Sequence, residues 1–313
     1  MTLLIQYTLI FASVLMLVAL GGCFSEHSGV INLGLEGIMV MGALGGALAM
    51  NNTSADVAAG VMVLKVTVWA ILFGIAYSVL LGVACINFKA DQTLIGTAMN
   101  LLATAVATVL VRSINSAKDP NNVSTTLQYI DQKKLLVVNM NGFEFNWFMI
   151  MAVAALILAN IVLYRTKFGL RLRACGENPQ AADSVGINVY RMRWAGVLIS
   201  GLLGGLGGIV YITAGVSEWK FEMGVAGFGF LALAVMIFGQ WKPTKIAGAA
   251  LLFGFFRALS NTYSGFAWLR ALNIDSKIYN MMPYIISLVV LAFTSKNSAA
   301  PKAEGIPYDK GTR

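Results

Sequence analysis

The chain holds 313 residues, 58% hydrophobic and only 12% charged, with a formal charge of +8. A soluble domain of ordinary composition carries about 25% charged residues; this deficit and repeated apolar runs of about 20 residues exclude a soluble fold, while the absence of short alternating segments excludes a transmembrane β-barrel. The positive charge does not point to nucleic acid, because basic residues of membrane proteins collect in cytoplasmic loops and no basic patch interleaved with aromatics is present.

Taken in order, the apolar runs fall near residues 3–22, 30–50, 60–85, 93–111, 147–164, 194–214, 225–239, 246–259 and 279–293. They predict an all-α polytopic membrane protein with roughly eight to ten transmembrane helices. No Lys or Arg precedes Lys65, so the first run is read as a retained span and not as a cleaved signal, which needs a basic start. The second run opens with Asn32 and Glu36, spaced to share one face of a helix. Residues 112–146 mix Lys118, Asp119, Asp131, Lys133, Lys134 and Glu144 with few apolar residues, and are read as a long non-spanning loop. Trp147 and Tyr164 bracket the fifth run as interface anchors. The seventh, eighth and last runs are short, and a tilted, broken or re-entrant course is open for each. Residues 1–294 are taken as the membrane domain and 295–313 as a cytoplasmic tail.

Between the fifth and sixth runs lies a basic segment, 165–193, with Arg165, Lys167, Arg171, Arg173, Arg191 and Arg193 set against Glu177 and Asp183. The positive-inside rule places it in the cytoplasm. Alternation then puts Lys89, Lys242, Lys245 and the tail inside. It puts residues 112–146, the N-terminus, Arg270 and Lys277 outside, the last two against the rule. Within the segment, Asn178 is spaced to cap a helix that has Pro179 at its first position. About two turns can follow before Gly186 leaves the helix.

Ionisable and amide groups inside the membrane are costly and mark candidate solute pathways. Glu36 with Asn32, Asn100 in the fourth run and Arg257 in the eighth form that set. Structural roles stand beside it: Glu36 as a cap of a helix start or a partner of a base such as Arg257, and Asn100, near Thr97 and Thr104, as an interhelical hydrogen bonder. Gly201, Gly204, Gly205, Gly207 and Gly208 lie inside an apolar run with no preceding soluble strand, so helix packing, as also at Gly42 and Gly46, is preferred over a dinucleotide loop. No GxxxxGK[ST] sequence occurs, and Cys23, Cys85, Cys175 and the single His27 form no metal or disulfide pattern. Passage of a solute is the expected work, energised elsewhere.

Residues 29–37 (GVINLGLEG), 168–187 (FGLRLRACGENPQAADSVGI) and 305–313 (GIPYDKGTR) resemble permease subunits of nucleoside and simple-sugar ABC importers, in the branched-chain amino acid/ribose permease superfamily. The likeness covers essentially the whole chain and is nearest to the shorter of the two permeases in nucleoside uptake systems. His27 and Cys175 depart from the pattern, standing where a basic and a small apolar residue are common. The resemblance implies a bacterial cytoplasmic-membrane protein that pairs with a second permease. It also implies a separate ATPase that binds ATP and magnesium, and an external solute-binding lipoprotein. It implies that Glu177, Ala181, Ala182, Asp183 and Gly186, flanked by Arg171 and Arg173, seat a coupling helix on that ATPase. No cofactor or metal is expected in this chain. A simple-sugar permease, an ion-coupled secondary transporter using Glu36 and Arg257, and a membrane scaffold are the competing readings.

Overall fold

The computed structural model describes residues 2–140, 143–216, 219–266, 275–294 and 299–311. Each apolar run coincides with a helix: α1 (Thr2–His27), α2 (Leu35–Asn51), α3 (Ala59–Gly82), α4 (Gln92–Lys118), α6 (Trp147–Arg165), α9 (Val189–Val210), α10 (Phe228–Phe238), α11 (Pro243–Thr262) and α12 (Ser276–Thr294). Among the described residues five helical stretches, Thr2–His27, Ala59–Asn87, Gln92–Lys118, Trp147–Arg165 and Val189–Gly215, are long and apolar enough to cross a bilayer. The chain is an all-α, multi-pass membrane protein. Shorter helices α5 (Ile130–Lys134), α7 (Lys167–Glu177) and α8 (Pro179–Ser184) lie between these. A small antiparallel hairpin joins β1 (Val137–Met140) to β2 (Phe143–Asn146), with Val137 opposite Asn146. Thus the polar stretch after the fourth run holds a short helix and two strands, and Arg112 to Lys118 extend α4 beyond the apolar run that begins it.

Polar side chains set the helix starts. Asp91 accepts from Leu94 N at 2.8 Å to open α4, and Asn146 accepts from Phe148 N at 3.0 Å to open α6. Thr166 does the same for α7, from Gly169 N at 3.1 Å, and Asn188 for α9, from Arg191 N at 2.9 Å. Each satisfies one of the amides a helix start leaves without a partner.

α1 and α9 form the core of the bundle. Val14, Leu15, Leu17, Val18, Ala19 and Leu20 of α1 are fully buried, and the glycine-rich half of α9 is buried with them. The glycines there permit contact between backbones: a methyl group on Gly42 of α2 would overlap the backbone of Gly205, and one on Gly208 would overlap the Met39 carbonyl. Close backbone approach of this kind is how helices associate where lipid removes the hydrophobic drive between them. In α3, α4 and α6, by contrast, Leu64, Leu101, Val109, Ile157 and Leu158 point outward, the surface a bilayer covers.

One element differs from the sequence reading, and a second takes one of the courses left open. The second helix begins at Leu35, five residues later than its apolar run. Ser28 N bonds to Ser25 O, Ser25 Oγ bonds to Val30 O, and Gly29 has φ of +92°, so residues 28–34 turn instead of winding into helix. Asn32 therefore shares no helical face with Glu36. The seventh run holds a short helix: α10 has 11 residues, about 16 Å of helix, against a hydrocarbon core of about 30 Å. It is preceded by the short 3₁₀ turn Phe221–Met223, with Gly224 and Gly227 at positive φ.

Candidate functional site

The basic segment between α6 and α9 folds into two helices, of which the sequence pattern foresaw only the second. α7 lies over the end of α6, where the Arg173 guanidinium sits 4.7 Å from the centre of the Tyr164 ring. α8 follows at once. The Asn178 side chain accepts from Ala181 N at 3.0 Å and Pro179 occupies the first turn. At the other end Gly186 N bonds to Asp183 O and Ile187 N to Ala182 O, with Gly186 at φ +83°. That pair of bonds is a Schellman stop, and the left-handed residue in it strongly favours glycine.

The seven residues singled out in this segment divide by direction. Arg171, Glu177, Ala181 and Gly186 are exposed, and beside them Val185 is 75% exposed, an apolar side chain with nothing over it. Ala182 is buried, Asp183 lies 3.8 Å from Lys310, and Arg173 is held on Tyr164. The first group faces outward; the second fixes the segment to the body. Cys175 is buried beneath it, and burial pushes its thiol up to about 11, so it stays protonated and inert at neutral pH.

Glu36, in the first turn of α2, reaches the start of α10. Gly227 N donates to Oε1 at 2.8 Å and Gly229 N to Oε2 at 2.7 Å. The carboxylate thus caps a half-helix whose own N-terminal residue, Gly227, has no side chain to do so. A negative group at that position also meets the positive end of the helix dipole. Asn100 of α4 performs a matching service for α2: its Oδ1 accepts from Gly37 N and its Nδ2 donates to Leu33 O, both at 2.8 Å. Asn32 is fully buried and donates to Ser200 Oγ at 2.8 Å. Arg257 stands apart, 5.3 Å from the Phe228 ring centre and in no ion pair with Glu36.

Glu36 and Asn100 line one cavity of about 460 Å³, with Thr97, Thr104, Met223 and Phe230. Asn32 and Arg257 do not border it. A second cavity, of about 690 Å³, lies at the end of the bundle away from α8, and its lining includes Gln6, Tyr7, Lys133, Asn146, Ser260 and Asn261. The sequence reading missed this second group and the contribution of Gly227 and Gly229. Its one pointer to the latter was the shortness of the seventh run. Arg270 and Glu218 lie outside the described residues, as does the side chain of Lys277. Among the described residues no cluster of three or more His, Cys, Asp or Glu side chains is placed to hold a metal.

A bundle of apolar helices, one of them short and capped by a buried carboxylate from another helix, with a short exposed helix at one end, fits a membrane permease subunit. The chain belongs to the family described as the branched-chain amino acid transport system / permease component, whose model matches residues 4–294. It is 37% identical to the guanosine ABC transporter permease protein NupQ of Bacillus subtilis, over all of this chain and 98% of that one. It is 38% identical to the nucleoside ABC transporter permease protein NupC of Lactococcus lactis, over 96% of this chain and 95% of that one. Similarity extends to a second Lactococcus lactis protein, the nucleoside ABC transporter permease protein NupB, at 26% identity over 76% of this chain and 67% of that one. No solved structure matches the chain.

Proposed function

We propose that this chain is one of two permease subunits in an ATP-driven importer of nucleosides, set in a bacterial cytoplasmic membrane. The observation that carries the reading is α8: a short, doubly stopped helix with an exposed face, in a chain that has no phosphate-binding loop of its own. Two full-length relatives named for nucleoside or guanosine transport supply the solute class. The pairing of NupB and NupC names in one organism supports a heterodimer.

In this reading residues 1–294 are the permease body and residues 165–193 its cytoplasmic coupling segment. Arg171, Glu177, Ala181 and Gly186 face a cytoplasmic ATPase that binds ATP with magnesium. Arg173, Ala182 and Asp183 transmit its movement into the bundle. A solute-binding lipoprotein delivers nucleoside to the opposite face, where the larger cavity opens. The pathway runs along the cavity beside Glu36 and Asn100, with Glu36 holding the short helix in shape rather than carrying a proton.

The test is reconstitution into liposomes with the ATPase, a second permease and the binding protein. Nucleosides should accumulate only with ATP and with every subunit present, and ribose or galactose should not compete. Uptake by this chain alone on an imposed ion gradient would overturn the importer reading. Within the full assembly, Glu177→Lys and Gly186→Pro should insert normally, weaken ATPase association and lower uptake. Pro fixes φ near −65°, which the +83° of Gly186 cannot accommodate. Unchanged association and uptake in both variants would remove α8 as the docking element.

A further inference from the structure

The tail does not stand off from the bundle. Residues 301–310 run across the base of α7, α8 and α9, and their contacts reach all three helices and the turn between α3 and α4. Ala303 N donates to Gly176 O at 2.8 Å, at the end of α7. Arg193 Nη2, from the first turns of α9, donates to Ile306 O at 3.0 Å. The Tyr308 ring is buried edge-on to Tyr190, with centroids 5.4 Å apart, and the Arg193 guanidinium lies 5.9 Å from its centre. Lys310 reaches Asp183 on α8 at 3.8 Å, and Asp309 pairs with Lys89 at 2.8 Å, in the turn between α3 and α4.

Arg193 decides what this arrangement means. It is 1% exposed, the largest fully buried side chain, and on α9 it directly precedes Trp194, whose Nε1 donates to Asn87 Oδ1 at 3.2 Å near the end of α3. A buried guanidinium needs acceptors, because desolvation without them costs several kcal/mol. Among the described residues its side-chain hydrogen bond goes to a tail carbonyl, and a side chain at Gly29 would meet its Nη2. A bare α9 would hold that charge poorly. The tail supplies an acceptor for Nη2, while the buried Nε has no hydrogen-bond partner among the described residues.

We infer that residues 301–310 are a strap that fixes the coupling helix to α9 and to the α3–α4 turn, with Tyr308 and Arg193 as its positioning residues. A displacement of α8 then moves α9 and α3 as well, where an unstrapped α8 would keep only its two chain ends and the packing of Ala182 with Cys175 and Val189. The strap rests on the coupling reading of α8 and extends it: it gives the tail a part in transmission while leaving the docking face untouched.

The experiment uses the complete importer in liposomes and reads three quantities: co-purification of the ATPase, solute taken up per ATP hydrolysed, and amide exchange across 179–187. Tyr308→Ala should keep the ATPase bound, lower the transport-to-hydrolysis ratio several-fold and speed exchange in α8. Tyr308→Phe, which keeps the ring, should restore both. Asp309→Ala, at the surface, removes the link to Lys89 and the acceptor of Gly311 N, leaves the Tyr308 ring in place, and should lower the ratio by less. It decides the matter if Tyr308→Ala fails to assemble. Unchanged ratio and exchange in Tyr308→Ala, or in Asp309→Ala should the first not assemble, overturn the strap. Glu177→Lys in parallel separates the two ideas. If that variant loses the ATPase while Tyr308→Ala behaves as the parent, coupling through α8 stands and the strap falls. If it and Gly186→Pro both keep the ATPase and full uptake, coupling through α8 itself is wrong.

Discussion

The starts of α8 and α10 solve the same problem with opposite reach. Both must provide acceptors for amides that have no partner inside the helix. α8 takes its cap from Asn178, three residues before the amide it holds, at an exposed site. α10 takes its cap from Glu36, 191 residues before Gly227 and inside the bundle. A local cap lets a helix keep its form while its surroundings move, as the docking role proposed for α8 requires. A remote cap ties two helices together: α10 cannot tilt or slide without stripping the acceptors from its first turn. The start of α8 is therefore held from within its own segment, and the start of α10 from another helix.

Breaking the remote cap should have the largest effect. Glu36→Ala leaves two amides without an acceptor in the interior, at about 1–3 kcal/mol each. The thermal midpoint of the purified protein in detergent should fall clearly. Glu36→Gln keeps one carbonyl oxygen and should fall about half as far. Transport in Glu36→Gln should drop for all nucleosides alike, since the change acts on the shape of α10. A variant that melted with the parent but altered the preference among nucleosides would make Glu36 a solute contact and not a cap.

Breaking the local cap should cost less and stay local. Loss of an Asn cap costs about 1 kcal/mol, so Asn178→Ala should leave the melting of the bundle nearly unchanged. Its effect should be confined to faster amide exchange in α8 and a partial loss of uptake in the full importer, with Asn178→Asp restoring both. A fall in bundle stability like that of Glu36→Ala would erase the distinction between the two ends.

The same contrast explains what could be read without coordinates. The α8 signal was complete within nine residues, Asn178 to Gly186, because cap, Pro and stop are local, and the structure reproduces it. The glycine spacing in α9 was equally legible, since close helix approach needs small residues at fixed intervals, and Gly42 and Gly205 do face each other. Glu36 was found as an intramembrane carboxylate, but its partners could not be: they are backbone amides, which every residue but proline carries. Asn32 was misplaced on a helical face because hydropathy does not register a turn made by Ser25, Ser28 and Gly29. Arg193 was read as one of several loop cations, and only the packing of Tyr308 against it shows that it is buried.

The smallest predicted effect concerns how firmly the tail is seated on the coupling end. Glu304 lies between Ala303 and Gly305 in the strap, and burial raises its carboxyl from 4.5 to about 7, while a hydrogen bond with the Glu26 carboxyl works against that rise. Trp241 Nε1 donates to Glu26 on its other side. The folded value of Glu304 lies above the unfolded one, so its neutral form is favoured in the seated tail. Its contribution is present in full below about 4.5 and is lost as pH rises through about 7. Protection of the Ala303 amide, which bonds to Gly176 O, should therefore weaken across that interval after correction for intrinsic exchange. Glu304→Gln, unable to ionise, should hold the amide at a constant protection over the same range. A flat profile in the parent, or the same slope in the variant, would assign the seat to Arg193 and Tyr308 alone. The seating of the tail would then be independent of the ionisation of Glu304.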